Sequence, residues 1–119
     1  MDKFLAVFIG GGIGSIGRYG LSLWAQRLSF QTLFPWATFI ANVLACVVLA
    51  LVYFIFKDKL GANTSLLLAT GFCGGLSTFS TFSLESIDLM NKHQFGILSV
   101  YIVGSLITCL GCMWLISKI

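Results

Sequence analysis

Three long stretches of this chain carry no charge: residues 28–56, 60–84 and 94–117, which are 29, 25 and 24 residues long. A fourth, from Phe4 to Gly17, is interrupted by Arg18 and resumes from Tyr19 to Gln26. A helix needs about 20 mostly apolar residues to cross a bilayer, and lipid offers unpaired backbone groups no partner. The windows therefore predict an all-α integral membrane protein with four transmembrane helices, at roughly 4–26, 36–56, 65–90 and 95–117. Only 9% of the 119 residues are charged, against about 25% in a soluble domain. The reading is one four-helix transmembrane domain over 1–119, a multi-pass protein of the inner or plasma membrane.

Lys3 and the apolar run up to Ser15-Ile16-Gly17 have the outline of a cleaved leader. Helical periodicity continues through Arg18, however, and cleavage would leave an odd three-helix topology. Trp24, Trp36 and Trp114 fall where interfacial belts are expected, and Pro35 suits the first turn of the second helix. With four spans, Lys3, Lys57, Lys59 and Lys118 share one side, while Arg27 and Lys92 take the other. That bias is weak under the positive-inside rule. It leaves open both a chain with cytoplasmic termini and one that inserts both ways and pairs antiparallel with itself. The net charge of +3 comes with no basic patch interleaved with aromatics, so nucleic acid is not an expected partner.

The inventory of reactive groups excludes more than it suggests. His93, the only histidine, lies in a polar turn beside Lys92 and Gln94 and reads as solvated. Cys46, Cys73, Cys109 and Cys112 all fall within spans; Cys109 and Cys112 have C-x-x-C spacing but no soluble redox domain around them. They read as small, buried and inert, and they form no zinc pattern. "GGGIGSIGRYG", residues 10–20, is not a phosphate loop, since no strand precedes it and no Gly-Lys-Ser/Thr follows. Gly10-x-x-x-Gly14, with Gly17, reads instead as a face for close helix contact. No nucleophile–base pair can be assembled, and no enzyme is expected.

Strongly polar groups inside spans are costly and usually functional. Arg18, in the first helix, reads as an interface anchor, a vestibule charge or a clamp on a turn of backbone. Asn42 and Thr38, one helical turn apart, make a polar stripe on the second helix; Asn42 could join two helices or donate to an anion. In the fourth helix Tyr101, Ser105 and Cys109 recur at i, i+4 and i+8, with Thr108 and Cys112 beside them. The third span contains "GGLSTFSTFS", residues 74–83. Its paired glycines and five hydroxyls predict a break in the helix near Gly74–Thr78, with freed carbonyls facing protein or a cavity. Such carbonyls suit a cation like Na⁺. The positive ring edges of Phe79 and Phe82 suit an anion held weakly enough to leave. No carboxylate lies in the first, second or fourth span, and Glu85 and Asp88 sit at the end of the third, near the surface. A small multidrug-type proton/cation antiporter needs an embedded acid, so donors without acids favour an anion. A helper subunit whose polar stripes are interhelical glue is the other alternative.

"GGLSTFSTFSLE" resembles the signature of the Fluc/CrcB family of fluoride channels. The likeness extends in order through "GSIGRYG", the Asn of "ATFIAN" and "YIVGS". It departs at Ala37, where the family usually has Gly, and at Cys109, where it has Ser or Thr; a thiol is the weaker donor.

The resemblance implies an antiparallel dual-topology homodimer forming a passive, fluoride-selective channel that exports cytoplasmic fluoride through two pores along the subunit interface. Phe79 and Phe82 would form an aromatic box and Asn42 would donate to the ion. Ser80, Thr81, Tyr101, Ser105 and Cys109 would line the polar track, with Arg18 and Glu85 at the vestibules. A structural Na⁺ would sit on the dimer axis, held by the carbonyls of Gly74 and Ser77.

Overall fold

The computed structural model describes residues 2–27 and 33–119. The charge-free windows become helices with only small shifts at their ends. They are α1 (Lys3–Arg27), α2 (Trp36–Ile55), α3 (residues 62–76), α4 (Phe79–Asn91) and α5 (Phe95–Ser117). α3 and α4 lie end to end and share the third span, Ala62–Asn91, so four helical spans are long and apolar enough to cross a membrane. The start of the second charge-free window lies outside the described residues. α2 turns π-helical over Leu51–Ile55, and α3 does so over Leu66–Cys73. There i→i+5 bonds widen the turn, a feature with no signal in the sequence.

Local chemistry sets the ends. Pro35 caps α2, its carbonyl accepting from the Phe39 N–H at 3.1 Å. His93 turns the chain between α4 and α5 with φ 57°, exposed to solvent. Lys57 lies over the Tyr53 ring at 5.2 Å and Lys118 over Trp114 at 5.7 Å, so each stem runs along an apolar helix end while its charge stays outside. Asp88 pairs with Lys92 at 3.0 Å on the surface, where such a pair contributes little.

Two apolar clusters hold the helices together. Ala41, Ala45, Cys73 and Leu76 join α2 to α3, with Leu21 and Phe72 against them. Leu89, Leu98 and Tyr101 join α4 to α5, with Phe34, Phe39 and Phe82 against them.

α1 meets α3 through backbone rather than side chains. A methyl group on Gly14 would run into the Phe72 carbonyl oxygen, and one on Gly75 into the Gly11 carbonyl oxygen. The Gly10-x-x-x-Gly14 face is therefore a contact surface, as the sequence predicts. Gly17 is less constrained, with only a side-chain carbon of Leu76 nearby at 3.6 Å.

The third span is broken where expected, but the glycines are not what opens it. Gly74 is helical at φ −64° and ψ −35°, and no described glycine has a positive φ. The helix stops at Ser77 (φ −81°, ψ 154°) and Thr78 (φ −154°, ψ 127°), both extended. Gly75 serves close approach instead.

Candidate functional site

The break is held by side chains from two other helices. An uninterrupted helix would send the Thr78 N–H to the Gly74 carbonyl. Here it donates to Asn42 Oδ1 on α2 at 2.9 Å, and Asn42 Nδ2 donates back to the Thr78 carbonyl at 3.5 Å. Asn42 thus acts on Thr78 as a neighbouring strand would. Thr78 then caps α4, its Oγ1 accepting from the Thr81 N–H at 3.2 Å and lying 3.1 Å from Ser80 Oγ. On the other side, Arg18 Nε of α1 donates to the Gly75 carbonyl at 3.2 Å. Arg18 therefore clamps the last turn of α3, one of the roles its position suggested.

That clamp is testable. Arg18→Gln is expected to lower the stability of the detergent-solubilised protein by about 1.5–3 kcal/mol, the scale of a hydrogen bond to a charged group. Thermal denaturation read by the size-exclusion peak measures it. An unchanged midpoint would mean that Arg18 only snorkels.

Beside the break lies a cavity of about 290 Å³, lined chiefly by Asn42, Ser77, Thr78, Phe79, Phe82, Ser105 and Cys109, with Cys46, Leu106 and Leu110 completing its wall. The Phe79 and Phe82 rings are 5.9 Å apart at 33°. Phe82 also leans on Tyr101 at 4.9 Å, whereas Phe79 is 79% exposed. Ser105 lines this space from α5; its Oγ is buried and has no hydrogen-bond partner among the described residues. A buried hydroxyl left unpaired costs about 1–3 kcal/mol, which marks Ser105 as a donor held in reserve at the cavity wall.

Not every residue of the sequence-derived set reaches this cavity. Tyr101, fully buried, donates its hydroxyl to Glu85 Oε1 at 2.9 Å, and Thr38 hydrogen-bonds the same pair. Glu85 is thus drawn inward, while Asp88 stays at the surface as expected. Glu85 lines a second hollow with Ser22, Gln26, Phe34 and Trp36. Ser80 is exposed and Thr81 half-buried, both next to the cavity rather than in its wall. The stripe of Tyr101, Ser105 and Cys109 therefore divides, its first member serving Glu85 and the other two the cavity.

Comparison with known proteins identifies the family. The family model described as CrcB-like protein, Camphor Resistance (CrcB), matches residues 5–116. The chain belongs to the CrcB-like family. Among similar CrcB-like proteins is the "Fluoride-specific ion channel FluC" of Phocaeicola vulgatus, 38% identical over 109 residues, covering 90% of this chain and 88% of the relative. Proteins of the same name from Nitratidesulfovibrio vulgaris and Azobacteroides pseudotrichonymphae are 37% and 40% identical, over 97% and 94% of this chain and 94% and 89% of theirs. As a CrcB-like protein the chain is a multi-pass membrane protein.

Four contributors to the CrcB-like site escaped the sequence reading, among them Thr78, which the sequence marked only as part of the break. Cys46 follows Asn42 by one helical turn, so i+4 spacing could have found it. Leu106 and Leu110 each follow a site residue directly and carry no signal of their own.

Proposed function

We propose that this protein is a passive, fluoride-selective channel that lets cytoplasmic fluoride leave the cell. The carrying observation is a cavity walled by phenyl rings and amide and hydroxyl groups, with the unpaired Ser105 hydroxyl buried in its wall. No carboxylate lines that cavity. Fluoride is the smallest halide and accepts hydrogen bonds strongly, so a hydroxyl with no other partner suits it. The rings of Phe79 and Phe82 present positive edges without the grip of an ammonium, which permits release. An interior-negative potential supplies about 2.3 kcal/mol per charge per 100 mV, so export needs neither ATP nor a coupled proton.

The cavity is open on one side of the chain, where Phe79 is 79%, Leu106 54% and Leu110 65% exposed. Ser80 is exposed beside it, and a hydroxyl facing lipid is unfavourable. A second copy closing that side, antiparallel to the first, yields two enclosed pores along one interface. The four-to-two split of lysine and arginine between the two ends is a weak enough bias to permit dual insertion. Asn42, Ser105 and Cys109 would then line each pore with Phe79 and Phe82, while Arg18 and Glu85 would sit at the vestibules.

A structural Na⁺ fits the break. Diversion of the Thr78 N–H to Asn42 releases the Gly74 carbonyl from its helical donor, and Gly74 has open space around it. The Ser77 hydroxyl is engaged with the Cys73 carbonyl at 2.7 Å, and the Ser77 carbonyl would be the second ligand. These are hard oxygen ligands of the kind sodium takes at unwound helices. One chain supplies too few, and the same pair from a second copy would complete the set. The ion would give the dimer centre a fixed positive charge.

Liposomes loaded with potassium fluoride test the reading, with a fluoride electrode outside and a potassium ionophore added to release the charge. Rapid fluoride release without chloride release is expected. Phe79→Ile and Phe82→Ile should each slow it by about 100-fold, or about 2.7 kcal/mol, without changing the dimer's elution volume. Well-folded dimers that release nothing would overturn the proposal.

A further inference from the structure

Two thiols from different helices meet in the cavity wall. Cys46 of α2 and Cys109 of α5 both line the space. Both are free thiols and half-buried. Cys112, on the next turn of α5, is not part of the wall, and Cys73 is buried elsewhere. Cys109 also lies one helical turn beyond Ser105, another residue of the same wall.

We propose that Cys46 and Cys109 form a two-thiolate site for a soft, two-coordinate d¹⁰ cation, best matched by mercuric ion, and that an ion held there plugs the cavity. Thiolates select soft metals. Zinc wants four ligands, and no group of three or more metal-ligating side chains exists among the described residues, so zinc is poorly served. A d¹⁰ ion takes sulfur at about 2.3 Å. Linear coordination then places the sulfurs about 4.6 Å apart.

Charge balance makes the choice sharper. On binding, each thiol gives its proton to water and forms one sulfur–metal bond. A divalent ion with two thiolates is neutral, whereas net charge in an apolar wall is expensive. A monovalent soft ion would leave a negative charge unless one thiol kept its proton. The binding half stands on the two thiols alone; the plug rests on the channel reading above.

The test uses mercuric chloride with purified full-length protein and a small monothiol as competitor. Two sulfurs on one scaffold act at high effective concentration. The wild type should therefore keep one mercuric ion per chain at about tenfold or more the competitor concentration that strips Cys46→Ser or Cys109→Ser. Cys112→Ser should behave as wild type, and Cys109→Ala provides a second variant if one serine variant fails to fold. Equal retention by the single variants and the wild type would overturn the site. In conducting liposomes, mercuric chloride should stop fluoride release and a dithiol should restore it. Mercury bound at one ion per chain with undiminished release would overturn the plug. If untreated liposomes release no fluoride, the channel reading fails, and the retention measurement still decides the site.

Discussion

Gly75→Val is expected to abolish recovery of folded protein. The Cβ position at Gly75 points into the backbone of α1, onto the Gly11 carbonyl oxygen and 3.0 Å from the Ser15 nitrogen. Backbone on both sides cannot move aside as a flexible side chain does, so α1 and α3 must separate. Overpacking a tight interior costs about 1–3 kcal/mol even where side chains can adjust. Here the loss falls on the main contact between the two helices, and membrane helices associate through close packing of this kind. Gly12→Ala and Gly20→Ala serve as controls, since a methyl group at either meets nothing within 4 Å. Alanine should gain about 0.5–1 kcal/mol over glycine in a helix. The share of purified protein in a symmetrical size-exclusion peak checks all three. A well-behaved Gly75→Val protein would refute the contact.

Asn42→Ala should cost both stability and transport, whereas Asn42→Asp should cost only transport. Removing the amide leaves the Thr78 N–H without the acceptor it has at 2.9 Å, a loss of about 1–3 kcal/mol for a buried donor. The extended link between α3 and α4 then has nothing on α2 to hold it. Aspartate keeps an oxygen for that N–H but puts a carboxylate into a cavity that has none. Fluoride release should fall by about 100-fold or more in both variants, equivalent to about 2.7 kcal/mol. The thermal midpoint should drop only in the alanine variant. Equal midpoints for the two would mean that Asn42 does not brace the break.

Much of this was legible in the sequence because lipid imposes a simple rule. Uncharged runs of the right length gave four spans with ends close to those observed. The hydroxyl-rich stretch after Gly74-Gly75 located the break. What the glycines do there was not legible, since glycine serves backbone opening and close approach equally well; only the position of α1 decides between them. The bond between Asn42 and Thr78 joins residues 36 apart in sequence, and no local pattern signals it. Glu85 reads as a surface acid by its place near the end of a span. Its side chain turns inward because Tyr101 and Thr38 offer hydroxyls there. The same contact engages the Tyr101 hydroxyl with Glu85, apart from the cavity that Ser105 and Cys109 line.

The break at Ser77–Thr78 also sets the electrostatics of one short segment. α3 ends there with its carbonyls and α4 begins there with its N–H groups, so the negative pole of one helix macrodipole abuts the positive pole of the next. Opposite partial charges thus lie two residues apart on main-chain atoms, with no ionised side chain among the residues of the break itself. Polarity of that origin has no proton to gain or lose, and no single side-chain substitution that leaves the two helices in place can erase it.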